Sequence, residues 1–177
     1  MYFSRVQWNE NRTFLEHTKT KFNRHYKMMN PAKITIGKVV TQGVQLNFWD
    51  LGGQEELQSL WDKYYAEAQG VIFVIDASDH ERLQVAWKAF DKMLSSPAIK
   101  GVPVLVVCNK QDMEGCLTVS EIKSVFSAST KHIGSRDFTF FAVSALKGTN
   151  VCESINWMIN CLKRSCSRKF EQFEHLN

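Results

Sequence analysis

A short run near the middle of the chain, Asp50-Leu51-Gly52-Gly53-Gln54, places an acid, bare backbone and an amide at the end of a strand-like segment. A carboxylate at a strand end can hold Mg²⁺ through a water molecule, and a glycine amide can approach a phosphate that a side chain would block. The amide of Gln54 could orient a water molecule for in-line attack on that phosphate. By itself, the run fits either phosphate chemistry or a simple glycine-rich turn.

A second run, Asn109-Lys110-Gln111-Asp112, follows an apolar, strand-like segment. The carboxylate of Asp112 could accept hydrogen bonds from both the ring N–H and the exocyclic amine of guanine, donors that adenine lacks. We expect Asn109 to brace the loop and the aliphatic stem of Lys110 to cover a ring face. The alternative is a strand-to-helix loop with capping polar residues.

Two further strand-like segments also end in small and polar residues, Asp76-Ala77-Ser78 and Ser144-Ala145-Leu146. In parallel sheets, ligands lie beyond the carboxyl ends of the strands, so these ends are predicted to gather on one rim. A backbone amide of Ser144 or Ala145 could there meet the guanine oxygen. The combination favours guanine recognition, and a bound nucleotide would in turn give Asp50 to Gln54 a phosphate to act on.

The elements that must position these runs alternate between strand and helix patterns. ITIGKVV and VQLNFWD flank a TQG turn and predict a hairpin with one buried face. The sequence then predicts strands over 71–76, 102–110 and 138–145, and helices from about 81, over 120–126 and from about 151. This order predicts an α/β fold, a mostly parallel sheet with helices on both faces.

Length and composition predict one ordinary globular domain of 177 residues. The net charge of +4 is spread out and clusters only near Lys163 to Lys169, which we interpret as a solvated helix end, so we expect no nucleic-acid partner. No apolar run reaches spanning length, and the five cysteines show no metal-ligand spacing. We therefore expect a cytoplasmic protein with free thiols and no integral membrane segment.

From Thr13 to about Arg164 the sequence resembles the Arf-type small GTPases, on the runs WDLGGQEELQSLWDKYYAE, NKQD and SAL. The resemblance implies a Ras-like P-loop NTPase fold that binds GTP or GDP with Mg²⁺ and hydrolyses GTP, with Gln54 as the catalytic residue. It implies metal contacts from Asp50 through water and from Thr35. It implies nucleotide contacts from Asp50, Leu51, Gly52, Gly53, Gln54, Asn109, Lys110, Gln111, Asp112, Ser144, Ala145 and Leu146.

The phosphate-binding motif of such proteins, G-x-x-x-x-G-K-[ST], does not occur in this sequence. Aligned on the helix that begins at Thr13, the family's lysine and magnesium-binding hydroxyl fall on Asn11 and Arg12, and a glycine falls on Glu10. The first strand of the family is missing or degenerate, as is a segment of the first switch between Thr35 and Ile36. The predicted organisation is a divergent segment 1–12, an incomplete GTPase domain 13–164 and a basic then polar tail 165–177.

Two hypotheses follow from the mixture of intact and missing motifs. In the first, the chain is a truncated or alternatively spliced Arf-type GTPase with micromolar or weaker GTP affinity, which leaves its enzymatic activity in question. In the second, it is a non-enzymatic pseudo-GTPase whose Trp49, Trp61 and Tyr64 form a partner surface. Trp49 and Tyr64 match the family's apolar effector-recognition patch, whose third member falls in the missing segment. Each could equally be a core or partly buried aromatic residue.

The resemblance also implies partners and a location. It implies an exchange factor, a GTPase-activating protein and Golgi effectors, with a monomer held peripherally on Golgi and trans-Golgi membranes. Tyr2 excludes glycine-linked myristoylation, and the C-terminal EHLN is not a prenylation signal. A Met1-Tyr2 start is compatible with the N-terminal acetylation that recruits related proteins to the Golgi.

Overall fold

The computed structural model describes residues 11–22, 35–51 and 61–174, which form an α/β fold. This part of the chain contains five helices and five strands, which alternate apart from two consecutive hairpin strands, with short 3₁₀ turns at Pro97–Ile99 and Ser127–His132. The helices are α1 (Asn11–Phe22), α2 (Trp61–Tyr65), α3 (Leu83–Leu94), α4 (Val119–Phe126) and α5 (Val151–Glu174). The strands are β1 (Thr35–Thr41), β2 (Val44–Asp50), β3 (Val71–Asp76), β4 (Val104–Asn109) and β5 (Phe138–Ala142).

Strands β1 and β2 form the predicted hairpin, paired antiparallel from Thr41 opposite Val44 to Thr35 opposite Asp50. Gln42 and Gly43 both have positive φ, 51° and 73°, as a two-residue type I′ turn requires. The tip of the hairpin is fixed to α5, because the Lys163 ammonium donates to the Gln42 carbonyl oxygen at 3.1 Å.

Strands β3, β4 and β5 form a separate, entirely parallel sheet in that order. All six residues of β4 are buried, as expected for a central strand covered on both faces. Because side chains alternate across a strand, the two faces of this sheet contribute to two different cores.

One core lies under α3 and α4 and is rich in phenylalanine. Phe73 of β3 packs edge-on against Phe90 of α3, with ring centroids 5.0 Å apart, and Phe90 contacts Phe126 of α4 at the same distance. The other core joins the opposite face of the sheet to α1, α5 and the hairpin. Its buried members include Phe14 and Leu15 of α1, Leu46 and Phe48 of β2, Ile72 and Val74 of β3, and Ile155 and Met158 of α5.

The sequence predicted this architecture of hairpin, parallel strands and helices on both faces, and the structure confirms it. Within the described residues, no strand lies between β2 and β3, and the two sheets remain separate. The first strand, predicted to be missing or degenerate, would come from the N-terminal segment, and residues 1–10 lie outside the described residues. None of the described helices combines the length and apolar character needed to cross a membrane.

The observed elements differ from the predictions mainly at their ends. Strand β5 ends at Ala142 rather than at residue 145, because the Val143 carbonyl leaves the strand pattern and accepts from the Gln111 amide at 3.1 Å. Helix α5 continues to Glu174, so the predicted boundary at residue 164 falls inside a helix.

Candidate functional site

The carboxyl ends of the three parallel strands are joined to one another and form a common rim. The Ala77 amide donates to the carbonyl of Asn109 at 3.0 Å, and the Val143 amide donates to the carbonyl of Cys108 at 2.9 Å. These two bonds hold the segments that follow β3, β4 and β5 side by side. The predicted gathering of polar strand ends is therefore present for these three strands, whereas Asp50 ends a strand of the separate hairpin.

Asn109, the last residue of β4, reaches across to the segment after β5. Its side chain is buried, and its Oδ1 accepts a hydrogen bond from the Ala145 amide at 2.9 Å. A buried amide oxygen would be costly without a donor, and Ala145 supplies one. Asn109 therefore braces the loop, as predicted.

Asp112 lies at the end of the same run and is held by Ser144. The Ser144 hydroxyl donates to Asp112 Oδ1, and the Ser144 oxygen in turn accepts from the Lys147 amide at 3.0 Å. The hydrogen bond from Ser144 holds the pKa of the Asp112 carboxyl below its ordinary value, with smaller contributions from the Lys147 and Lys110 charges. Asp112 is thus ionised at neutral pH, as the two N–H groups of guanine require of an acceptor.

Lys110 adopts a backbone conformation that is uncommon for its side chain, with φ of 68°. Its ammonium forms an ion pair with Asp76 Oδ2 at 2.9 Å. The other carboxylate oxygen, Asp76 Oδ1, accepts from the Ser78 amide at 2.9 Å and from the Ser78 hydroxyl at 2.6 Å. Asp76 therefore joins the end of β3 to the base loop, the name used below for residues 109–112 after β4 together with residues 144–148 after β5.

Sequence reasoning placed Asp76 on the rim but gave it no role. The available signal was its position at the end of a buried strand. Nothing in the residue pattern, however, indicated that it faces Lys110, because their pairing depends on the register of β3 against β4. That register sets Asp76 directly opposite Asn109.

Gln111 and Leu146, both predicted nucleotide contacts, differ in what their side chains do. The Gln111 side chain donates to the carbonyl of Leu117 at 3.0 Å, which closes the loop on itself. The Leu146 side chain is 74% exposed. Gln111 thus has a loop-stabilising role in this structure, while Leu146 lies on the surface beside Ala145.

The backbone amides predicted to meet a guanine oxygen are already engaged. The Ala145 amide donates to Asn109, and the Ser144 amide donates to the Thr149 carbonyl at 3.2 Å. A contact from either amide to a purine oxygen would therefore have to share or replace an existing bond. These bonds fix the loop in one conformation, and a preorganised loop loses less entropy on binding.

Helix α1 contacts the base loop at Gly148 through His17. A Cβ atom built on Gly148 would lie 2.5 Å from His17 Nε2 and 2.6 Å from His17 Cε1, closer than any real side chain tolerates. Gly148 also has φ of 77°. Nothing in the residue pattern indicated this contact. It joins α1, the helix that follows the phosphate loop in related proteins, to the loop expected to hold the base.

The predicted phosphate side is only partly within the described residues. Thr35 and Asp50, the predicted metal contacts, are directly opposite each other in the hairpin register. The Leu51 side chain is buried in the core at 3% exposure, so only its backbone could face a ligand. Gly52, Gly53 and the predicted catalytic Gln54 lie outside the described residues, as does Glu10.

The three aromatic residues predicted to form a partner surface do not share one environment. Trp49 and Tyr64 are half-buried and in edge-to-face contact, with ring centroids 4.9 Å apart. Trp61 is buried at 2% exposure within the core. The prediction of a three-residue surface is therefore wrong for Trp61, because the first residue of α2 faces inward and packs.

The parallel sheet, its helices and the base loop define the class of a Ras-like small GTPase. The Arl6 small GTPase from Trypanosoma brucei, solved with the bound nucleotide analogue GppNp, superposes with a TM-score of 0.80 at 27% identity, over 93% of this chain and 98% of that one. The chain is 54% identical over 162 residues to human ADP-ribosylation factor-related protein 1, covering 88% of this chain and 81% of the relative. It is 39% identical over 158 residues to ADP-ribosylation factor-like protein 3 of Saccharomyces cerevisiae, covering 86% and 80%.

The pattern of the ADP-ribosylation factor family matches residues 12–162. The chain belongs to that family. Members of the family bind GTP and GDP with Mg²⁺. The described residues fit the base of such a nucleotide: an ionised carboxylate offers about four lone-pair sites, so Asp112 can keep its bond from Ser144 and still accept two N–H groups.

Proposed function

We propose that this chain is a guanine-nucleotide-binding protein of the ADP-ribosylation factor family whose nucleotide affinity is weak. The observation that carries the proposal is the assembled base loop, in which Asn109 is bonded to Ala145 and Asp112 to Ser144. Selectivity for guanine comes from Asp112. A nucleobase without two N–H donors facing this carboxylate would remove water from it without replacing the lost hydrogen bonds.

Weak affinity is inferred from the phosphate side. Backbone amides of a glycine-rich loop and its lysine supply the main contacts to the phosphates in this class, and the sequence contains no such motif. The Asn11 and Arg12 side chains offer no replacement for a magnesium-binding hydroxyl beside a lysine. We expect micromolar or weaker affinity for GTP, and hydrolysis close to the uncatalysed rate.

The intact base motif beside a missing block of residues supports the further proposal that the chain is a truncated or alternatively spliced form. Gradual drift would more often have scattered substitutions over both sides of the site. If the genomic region between the coding segments contains no exon encoding a phosphate loop, that proposal fails.

The nucleotide content and affinity of the purified chain test the functional proposal. We expect less than one equivalent of guanine nucleotide by chromatography and mass spectrometry, and a micromolar or weaker GDP dissociation constant by isothermal titration. The signal for ADP should be undetectable under the same conditions. Stoichiometric GTP retained with Mg²⁺ would show that the phosphate side is intact, and equal affinity for ADP and GDP would refute guanine recognition.

The cellular role proposed is that of a switch in Golgi and trans-Golgi vesicle trafficking, cytoplasmic and peripherally bound to the membrane. Family membership supports it. A fluorescently tagged chain should overlap a trans-Golgi marker. A diffuse cytoplasmic signal at low expression would contradict the location.

A second candidate is a pseudo-GTPase that binds partners without nucleotide. The contact of Trp49 with Tyr64 favours it, since an edge-to-face aromatic pair that remains half-buried is a common binding anchor. Under this hypothesis, Trp49→Ala abolishes Golgi recruitment, whereas Asp112→Asn leaves it unchanged. Loss of recruitment with Asp112→Asn would instead favour the nucleotide-dependent switch.

A further inference from the structure

The ion pair between Asp76 and Lys110 joins two strand ends at the base loop. The pair is largely shielded from water, with side-chain exposures of 25% for Lys110 and 16% for Asp76, and the charged atoms are 2.9 Å apart. A charge pair at that distance in a partly desolvated site is stronger than one on the open surface. It is therefore in a position to influence the conformation of the loop.

Lys110 needs such an anchor because of its backbone. A positive φ is strained for a residue with a Cβ atom, and it persists only where the surroundings enforce it. At Lys110, φ is 68°. The Met113 amide donates to the Lys110 carbonyl at 3.0 Å, so the same residue also determines where the turn carrying Asp112 begins.

We propose that Asp76 is a positioning residue for the nucleotide base: it holds the Lys110 side chain where its aliphatic stem covers one face of the purine. Asp76 is suited to this because Ser78 fixes its other oxygen through two bonds, from the amide at 2.9 Å and the hydroxyl at 2.6 Å. The carboxylate therefore has little freedom to rotate away from Lys110. This inference rests on the proposed guanine-nucleotide function.

The test is a double-mutant cycle on the full chain, with GDP titrated by calorimetry. Asp76→Asn removes the charge but keeps an oxygen that can accept from Ser78, and Lys110→Met keeps an apolar stem but removes the ammonium. We expect each change to weaken GDP binding about fivefold, and the double variant to be no weaker than either single one. Additive losses, or an unchanged affinity in Asp76→Asn, would overturn the proposal.

A matched control is Asp79→Asn, which breaks a neighbouring carboxylate pair with Arg82 at 3.3 Å without touching Lys110. Its GDP affinity should equal that of the unmodified chain. Inosine diphosphate provides a second readout, since hypoxanthine lacks the exocyclic amine read by Asp112. If Asp76 acts through ring coverage, Asp76→Asn weakens both nucleotides equally. A selective loss of GDP would mean that the change had merely displaced Asp112.

Hydrogen exchange separates this inference from the proposed function. In the nucleotide-free chain, Asp76→Asn and Lys110→Met should each accelerate exchange at the Gln111 and Met113 amides about fivefold, relative to Val106 inside β4. Unchanged exchange would overturn the positioning role even if the chain binds nucleotide. If the unmodified chain binds no GDP at millimolar concentration, the proposed function fails, and the exchange result still decides whether Asp76 organises the loop.

Discussion

The base side of the site, which would contact guanine, is far more complete than the phosphate side, which would contact the phosphates and Mg²⁺. On the base side, Asn109, Lys110 and Asp112 each have a partner on a neighbouring segment: Ala145, Asp76 and Ser144 respectively. On the phosphate side, the described residues offer the register pair Thr35 and Asp50, and the sequence has no phosphate-loop motif. One half of a composite site can thus remain fully organised where the other half lacks its main structural element.

The difference follows from how each half is built. The base loop is held by bonds among three strand ends of one parallel sheet, and β4 between them is entirely buried. Its organisation therefore comes from bonds within the sheet. A phosphate loop, by contrast, depends on its own glycines, because only bare backbone can wrap a phosphate.

The largest expected effect comes from Asp112→Asn. The change replaces an ionised double acceptor with an amide, removing two charge-assisted bonds to guanine, so GDP affinity should fall at least about a hundredfold. Competition titration against a fluorescent guanine nucleotide measures it. Asp91→Asn, which removes an acid on α3 paired with His132, is the control and should have no effect. A loss below threefold in Asp112→Asn would mean that guanine is not read at this loop.

The base loop was also the half that could be predicted from the sequence. Asn109 and Asp112 are three residues apart after an apolar segment, and residues so close in sequence necessarily lie near each other in the fold. The hairpin turn and the strand Val71–Asp76 were likewise predictable, because turn chemistry and a short continuous apolar run, here buried from Val71 to Ile75, are local signals. Asn109 was assigned as a brace from its place in this run, directly after the strand.

What could not be predicted depends on register and on packing between distant segments. The pairing of Asp76 with Lys110 requires the alignment of β3 with β4, and the contact of His17 with Gly148 joins residues 131 positions apart in the chain. Trp61 was misassigned because a five-residue helix shows too little periodicity to indicate which face is buried. Each of these depends on the fold as a whole.

A smaller effect is expected from Gly148→Ala, which tests whether α1 is coupled to the base loop. The backbone at φ of 77° and the contact with His17 should together lower the free energy of unfolding by about 2 kcal/mol. Urea unfolding measures it. Gly134→Ala is the control: φ there is 59° with open space around the position, so only about 1 kcal/mol of strain is expected.

The double variant His17→Ala with Gly148→Ala refines that result. Removing the ring should relieve the clash but not the backbone strain, so the Gly148→Ala cost should drop to about 1 kcal/mol when measured against His17→Ala. If the cost is the same in both backgrounds, His17 does not restrain the loop, and the two halves of the site are structurally independent.

A still smaller effect is expected along the series GMP, GDP and GTP. Because the sequence lacks the motif that would bind the added phosphates, the three dissociation constants should agree within about tenfold. Calorimetry with and without Mg²⁺ gives the values, and Mg²⁺ should change them little. GTP binding a hundredfold tighter than GMP would show that another part of the chain supplies the phosphate contacts, and the contrast between the two halves would disappear.

The smallest effect is the response of GDP binding to mild acid. The Ser144 hydroxyl holds the pKa of Asp112 below its ordinary value of 3.8. A lowered pKa means that the ionised form, and the binding that depends on it, is retained as the pH falls through the ordinary aspartate range and is lost only below it. From pH 7 to pH 5, Asp112 protonation should therefore change the dissociation constant by less than about twofold. In Ser144→Ala the pKa should rise, so carboxyl ¹³C shifts of Asp112 should titrate at higher pH in the variant than in the unmodified chain. A midpoint that does not move would mean that Ser144 contributes geometry alone to the base loop, and that the ionisation of Asp112 is set by the nearby lysines.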